Sequence, residues 1–594
     1  MSCVVLYVLL ALLCALPVAT LFSRDELGRW NVNRCAMATP DEPSYLLMAK
    51  SIAHGQGIST VALAGKDTFY PPGLPLVLAG WGKVFGFSIE SLHVCVALTL
   101  TAAVGMGFVL VRRMFTLWGW RRPEWGALLT TGVFVTSYHV LEDALFVFSE
   151  PLFMLLVFAW LYACLRMERW WERPGAAVVI TLLAVGATMT RAAGMVCFGV
   201  TVLFVVVGLI RARYGTAKMW RIQLATLGCV LGVIFAYYAT VHVLSPEKSI
   251  ASGADSNNSY MRQLIRGVGF DLDPQTGKLR DRLYRVDEYG PRVVRAVARL
   301  SWEHVQDFVA SFVPPERAED EPFRGDLYAW LARLLMLLAM LGWLSRLVQP
   351  GATRVVDVFV LAYIGLYLIW PFRMVRFWIP LLPLLAAYTA DLLRLDWRGM
   401  AGRAWWPRVH AAVYVALGGL VLALNVQEMA LKLPWFELRL NYVSDCLAAS
   451  AGAIRQASPD PAKTIVCLDD EAYFVFSWYL NPGAGDSGYR VNSAKRGERI
   501  ETMILRNLEA VKNDPTKRLF VASYFGHDPR QGGEPTMLLV MENLQKEHPG
   551  MFARSDPDRM GFVPLEDVRP GQWKMVKVQQ DWNTTAVWEI EFVQ

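Results

Sequence analysis

The sequence predicts a polytopic α-helical membrane protein that ends in a soluble α/β domain. Two features of its composition carry this prediction: 54% of the 594 residues are hydrophobic and only 19% are charged, and the mean hydropathy is +0.32. A soluble protein of this length would have more charged and fewer apolar residues. We therefore expect a lipid bilayer to surround most of the chain.

About eleven apolar segments are long enough to cross a hydrocarbon core of roughly 30 Å. They lie near residues 3–22, 90–111, 125–141, 145–165, 175–190, 192–210, 222–244, 327–345, 355–371, 377–393 and 409–429. The first is either a membrane helix or a cleaved signal peptide, and the choice leaves the remaining topology unchanged.

Basic residues concentrate in alternate connections between these segments, as the positive-inside rule describes. The net charge of +6 therefore reflects membrane orientation, and no nucleic-acid partner is expected. With a cytoplasmic N-terminus, the long segments near 23–89 and 246–326 and the region after 430 face outward. We expect an integral protein of the plasma (inner) membrane, with a membrane domain over 1–430 and an extracytoplasmic domain over 431–594.

The C-terminal domain is predicted from a change in pattern. Strand-length apolar stretches occur at 464–470, 518–525, 573–579 and 586–592, and an amphipathic helix is predicted at 536–547. The nine cysteines show no metal-ligand or disulfide spacing. These patterns predict that the region after 430 is a small α/β domain.

Two short motifs stand out in the first outward segment. Asp41 and Glu42 precede Pro43 and Tyr45 at the start of a helical pattern. Asp and Pro also favour helix N-termini for purely structural reasons, so Asp41 alone has a structural explanation. The second motif, Tyr70-Pro71-Pro72-Gly73, forces an extended turn into an amphipathic helix.

Together, the Asp-Glu pair with its Tyr and the Tyr-Pro-Pro-Gly-Leu-Pro run resemble the glycosyltransferase C superfamily, in particular its branch of protein O-mannosyltransferases and aminoarabinose transferases. The resemblance covers about residues 1–430. It implies a polyprenyl-phosphate sugar donor, an extracytoplasmic acceptor and inversion at the anomeric carbon. It also implies that Asp41 is the catalytic base, that Glu42 is its acidic companion and that Glu150 is a second catalytic carboxylate.

One departure from that branch concerns the acceptor. The aminoarabinose transferases have a Lys before the paired prolines, whereas Tyr70 takes that place here. The resemblance therefore does not extend to lipid A as the acceptor. Tyr45, Tyr70, Pro71, Pro72 and Gly73 are predicted to form a substrate loop.

Such a reaction needs positive charge to hold the departing lipid phosphate. Arg191 interrupts an apolar stretch, where an idle charge would cost about 2.5–3.5 kcal/mol. Arg373 and Arg376 are spaced to share one helix face. These three arginines are predicted to bind the donor phosphate, although headgroup anchoring would also explain the last two.

Other acidic residues and other functions stay open at this point. Glu142 and Asp143 are interpreted as solvated loop residues or as ligands of a possible divalent metal ion; no cofactor is certain. A transporter that flips lipid-linked sugars is the main alternative, but it commonly has inverted repeats, which the sequence does not show. A membrane receptor, whose first-loop carboxylates would be dispensable, is a third class.

Overall fold

The structure is a computed structural model of the chain. It describes residues 3–23, 41–58, 70–167, 169–214, 216–244, 271–272, 279–280, 322–348, 353–368, 375–394, 406–468, 489–492, 500–514, 516–524, 573–581 and 585–592, and the single residues 302, 305, 306, 351, 478 and 480. The predicted helix at 536–547 lies outside these residues.

The described part of the chain is mostly helical. Its helices are α1 Cys3–Leu21, α2 Asp41–Ala53, α3 Gly73–Phe85, α4 Ile89–Leu117, α5 Pro123–Val135, α6 Tyr138–Glu142, α7 Glu150–Arg166, α8 Pro174–Thr190, α9 Met195–Arg213, α10 Ala217–Leu244, α11 Pro322–Val348, α12 Arg354–Leu368, α13 Leu382–Arg394, α14 Trp406–Ala457 and α15 Ile500–Asn513. Short 3-10 turns occupy Trp170–Glu172, Ala192–Gly194, Val375–Phe377, Ile379–Leu381 and Pro461–Lys463.

Each predicted apolar segment contains a helix, which confirms the prediction of a polytopic helical membrane protein. Within the described residues, six helical stretches are long and apolar enough to cross a membrane. They are Val4–Leu21, Ile89–Leu117, Ala192–Arg213, Ala217–Ala236, Trp330–Val348 and Val375–Leu393. The total of eleven spans stays a prediction.

Three segment boundaries differ from the sequence prediction. The segment 125–141 is two helices, because α5 ends at Val135 and α6 begins at Tyr138. The segment predicted to begin at 145 becomes helical only at Glu150. The last segment, predicted to end at 429, continues as one helix, α14, to Ala457.

The chain divides into two compact units. The first comprises Met1–Val32, Pro71–Leu74 and Glu90–Pro434, and the second Asn33–Tyr70, Pro75–Ile89 and Trp435–Gln594. In the first unit, α8 packs against α7, α9 and α10, while α12 packs against α7 and α9. Trp160, Phe153 and Phe359 are fully buried there, so α7 and α12 lie inside the bundle.

The second unit contains a five-stranded mixed sheet, which confirms the predicted α/β domain. Its strands are β3 Thr464–Leu468, β4 Arg490–Asn492, β5 Arg518–Tyr524, β6 Trp573–Asp581 and β7 Thr585–Phe592, in the order β4-β3-β5-β7-β6. β3 pairs parallel with β4 and β5, and β7 pairs antiparallel with β5 and β6. A separate antiparallel pair is formed by β1 Asp271–Leu272 and β2 Leu279–Arg280.

Candidate active site

Glu150 lies at the point where α7 begins. It is the first residue of the helix and Pro151 follows it, an arrangement that suits a helix N-terminus. The side chain of Glu150 is only 2% exposed. A carboxylate so far from water needs charged or hydrogen-bonding partners.

Arg191 supplies the first of these partners. It follows the last residue of α8 with an extended backbone, φ −149° and ψ 144°. Its Nη1 forms an ion pair with Glu150 Oε1 and donates to Ser149 Oγ at 3.2 Å. The predicted helix interruption at Arg191 is therefore present, and it turns the guanidinium toward the start of α7.

Arg376 approaches the same carboxylate oxygen from another part of the chain. It lies in the 3-10 turn Val375–Phe377, and its Nε is 3.3 Å from Glu150 Oε1. The Arg376 guanidinium also lies 4.7 Å from the ring centroid of Phe148, while that of Arg191 lies 5.2 Å from the ring of Phe377. Aromatic faces thus cover part of both guanidiniums.

Glu150, Arg191 and Arg376 together form what we call the arginine cluster. Two guanidiniums share one carboxylate, so these three side chains have a formal charge of +1. Each arginine side chain is 17% exposed, which leaves water little room to screen the charge. The cluster suits an incoming anion of single charge, because guanidinium groups bind phosphate oxygens strongly.

Asp143 adds a further acidic group beside the cluster. It is 2% exposed, and it interacts electrostatically with Glu150, Arg191 and Arg376. Its Oδ2 has no hydrogen-bond partner among the described residues. The interpretation of Asp143 as a solvated loop residue is wrong, because the turn after α6 buries it. Glu142 is more exposed and pairs with His139 Nδ1 at 3.5 Å.

The two first-loop motifs are divided between the units: residues up to Tyr70 belong to the second unit, whereas Pro71–Leu74 belong to the first. Asp41 is the first residue of α2, as the helix-terminus interpretation expects; its side chain lies outside the described residues. Glu42 is 1% exposed. The rings of Tyr45 and Tyr70 lie 5.1 Å apart, so the structure brings the two first-loop motifs into contact.

Gly73 fits closely against the first unit's helix α8. A Cβ built on it would lie 2.8 Å from the carbonyl carbon and oxygen of Met189 and from Thr190 Oγ1. This close approach explains why a glycine follows Pro71 and Pro72. The turn therefore passes one residue away from Arg191.

Sequence reasoning did not identify several residues around the cluster. Ser149, Phe148 and Phe377 contact its charged groups, and Tyr367 hydrogen-bonds with Arg191. Gly194 is the residue that could have indicated the tight packing beside Arg191, since a Cβ there would lie 2.3 Å from the carbonyl carbon of Ala187. Such a glycine marks a chain that folds back on itself just after Arg191. Arg373 lies outside the described residues.

A metal site is not formed within the described residues. No three His, Cys, Asp or Glu side chains among them lie together in a way that could hold an ion. The side chain of Asp41 is not part of that set. A divalent ion consequently stays a prediction without identified ligands.

ArnT from Cupriavidus metallidurans bound to undecaprenyl phosphate matches 99% of this chain and 98% of its own, with a TM-score of 0.56 and 12% sequence identity. The chain has the fold of ArnT. The apo state of ArnT matches 98% of this chain and 97% of its own, with a TM-score of 0.54 and 12% identity.

These two likenesses concern the fold, which runs over almost the whole length of both chains. The Archaeoglobus fulgidus oligosaccharyltransferase in complex with Zn and sulfate matches 87% of this chain and 68% of its own, with a TM-score of 0.46 and 12% identity. No family model matches the chain, and no curated protein matches it significantly.

Proposed function

We propose that the protein is an inverting membrane glycosyltransferase that moves one sugar from a polyprenyl-phosphate donor to an extracytoplasmic acceptor. The observation that carries this proposal is the buried arginine cluster within an ArnT-like fold. ArnT itself has been crystallised with undecaprenyl phosphate. A lipid phosphate is the kind of anion that the surplus positive charge of Arg191 and Arg376 would attract.

In the proposed reaction, the acceptor hydroxyl oxygen bonds to the anomeric carbon as the bond from that carbon to the phosphate oxygen breaks. The hydroxyl proton passes to the Asp41 carboxylate. The polyprenyl phosphate departs with the bonding electrons and gains negative charge. Arg191 and Arg376 stabilise that charge as it develops, which is the largest catalytic effect available without an acid.

Glu150 has a different role in this proposal from that of Asp41. Its Oε1 is engaged by two guanidiniums, so it is poorly suited to accept a proton from the acceptor. We assign it to holding Arg191 and Arg376 in position. The charge asymmetry between the connections supports an extracytoplasmic location for this site.

Asp41→Asn tests the proposal directly. Turnover in a cell-free assay with defined polyprenyl-phosphate sugars, followed by mass spectrometry, should fall by about 10²- to 10⁴-fold, because Asn cannot accept the hydroxyl proton. Protein yield and melting temperature should hardly change, since Asn and Asp cap helices about equally well.

Asp460→Asn is the matched control. Asp460 Oδ1 accepts a hydrogen bond from the Ala462 backbone N–H, and its Oδ2 lies 3.7 Å from Lys463 Nζ. Both contacts stay within one exposed turn, so replacement of Asp460 should leave turnover unchanged. A fully active Asp41→Asn protein would remove Asp41 from the mechanism. Movement of intact donor across vesicles without sugar transfer would instead favour the transporter.

A further inference from the structure

A buried lysine links the first outward segment to the C-terminal domain within the second unit. Lys50 lies in the last turn of α2 and is only 2% exposed. Lysine is among the residues least often buried completely. Burial lowers the pKa of its ammonium group to about 8, so Lys50 is still mostly protonated at neutral pH.

Trp478 of the C-terminal domain covers this ammonium group. Lys50 Nζ lies 3.6 Å from the centroid of the Trp478 ring, and Trp478 is itself 5% exposed. Tryptophan gives the strongest cation–π contact of the aromatic residues, and the contact strengthens when water is excluded. Both conditions are met here.

The helix that carries Lys50 begins at Asp41. The two residues are nine positions apart on one thirteen-residue helix, about 14 Å along its axis at the helical rise per residue. Between them, Leu46, Leu47 and Ala49 are fully buried. A helix held firmly along its length moves as one body, so a displacement at Lys50 also displaces Asp41.

We propose that Trp478 and Lys50 are positioning residues for sugar transfer: the C-terminal domain, through this cation–π contact, fixes the helix that presents Asp41. The inference depends on the proposed function for the role of Asp41. The C-terminal domain then contributes to the rate of sugar transfer, whether or not it also binds the acceptor. Neither Lys50 nor Trp478 needs to touch the substrate for this role.

Steady-state kinetics of Trp478→Leu form the first test. We expect kcat to fall about tenfold or more, because small misplacements of catalytic groups are costly, while KM for the polyprenyl-phosphate donor stays within about twofold of the parent. Trp478→Phe, which keeps an aromatic face, should restore most of kcat. Lys50→Met should reproduce the defect, and the double variant should be no worse than either single one.

The matched control is an exposed pair of the same kind. Trp330 is 67% exposed, and the Arg333 guanidinium lies 5.4 Å from its ring centroid. Trp330→Leu should leave kcat and KM unchanged. If Trp478→Leu does not yield folded protein, Lys50→Met and Trp478→Phe still separate loss of the cation from loss of the ring.

Hydrogen exchange measured by mass spectrometry separates this inference from the proposed function. In Trp478→Leu, amides of α2 should exchange faster, while those of β3 and β5 should be unaffected. If the parent protein transfers no sugar but Trp478→Leu still makes the α2 amides exchange faster, the contact is upheld and the proposed function is wrong. If the parent is active and Trp478→Leu changes neither kcat nor the exchange of the α2 amides, the positioning role is wrong and the proposed function stands.

Discussion

Two ion-pair sites in this protein differ in how many arginines share a carboxylate. In the C-terminal sheet, Arg518 and Glu589 form a one-to-one pair: Nε and Nη2 each lie 2.6 Å from one carboxylate oxygen. In the arginine cluster, the single oxygen Oε1 of Glu150 faces both Arg191 and Arg376.

The surroundings of the two sites differ as well. Arg518 is 39% exposed on the sheet, where it joins neighbouring strands β5 and β7, and water can solvate it if its partner is lost. The arginine cluster is more deeply buried, and it has two guanidiniums for one carboxylate. A saturated pair stabilises a fold, whereas a pair with surplus charge is suited to bind an anion.

Removing the carboxylate from each site should give the largest contrast. Glu150→Gln leaves two poorly solvated guanidiniums without their anion, at a cost of about 3–5 kcal/mol in the free energy of unfolding. Glu589→Gln should cost about 1 kcal/mol, because Arg518 can turn to water. Thermal melting in detergent measures both variants.

Added polyprenyl phosphate should raise the melting temperature of Glu150→Gln more than that of the parent, because the lipid phosphate takes the place of the missing carboxylate. No such rise is expected for Glu589→Gln. Equal destabilisation of the two variants, with no response to the lipid, would show that the sites are equivalent.

Removing an arginine from each site should have a smaller effect, of a different kind. Arg376→Ala should weaken binding of polyprenyl phosphate by about 10- to 100-fold, the equivalent of one charge-assisted hydrogen bond, while KM for the acceptor is unaffected. Arg518→Ala should lower only the melting temperature. Lipid binding by Arg376→Ala that matches the parent would reduce Arg376 to a membrane anchor.

Asp143 should have the smallest effect, and it sharpens the charge argument. A charged Asp143 would offset the formal charge of +1 on the arginine cluster, so removing that negative charge should not weaken the binding of a lipid phosphate. Asp143→Asn imitates that neutral form, and the dissociation constant for polyprenyl phosphate should be unchanged or lower, within about threefold. A tenfold increase, measured by thermal-shift titration, would show that the negative charge itself is needed.

Hydropathy and strand-length patterns were enough to predict the membrane helices and four strands of the C-terminal sheet. The apolar runs around α4, α9 and α10 leave few alternatives. β4 was missed, since three residues are too few to give a periodic signal. α15 was also missed, although its amphipathic pattern is visible in the sequence once Ile500–Asn513 is considered as a unit.

The candidate site was only partly accessible from sequence. Glu150, Arg191 and Arg376 could each be selected because an ionisable residue at the end of an apolar segment is costly. Nothing in their spacing shows that they meet, since the chain between them is long and the bundle brings them together only through packing of α7, α8 and α12. The burial of Asp143 and Lys50 could not be predicted either, because burial depends on tertiary contacts.

The extended backbone at Arg191 also affects how the protein meets its lipid surroundings. Peptide groups outside a helix cannot face hydrocarbon, because nothing there replaces their hydrogen bonds. Ala193 and Gly194, which follow this break, are buried, so neighbouring protein shields the segment from acyl chains. In the proposed reaction, a phosphate headgroup that reaches Arg191 would pass from the polar surface of the bilayer into a protein-lined space, while its isoprenoid chain stays in the hydrocarbon.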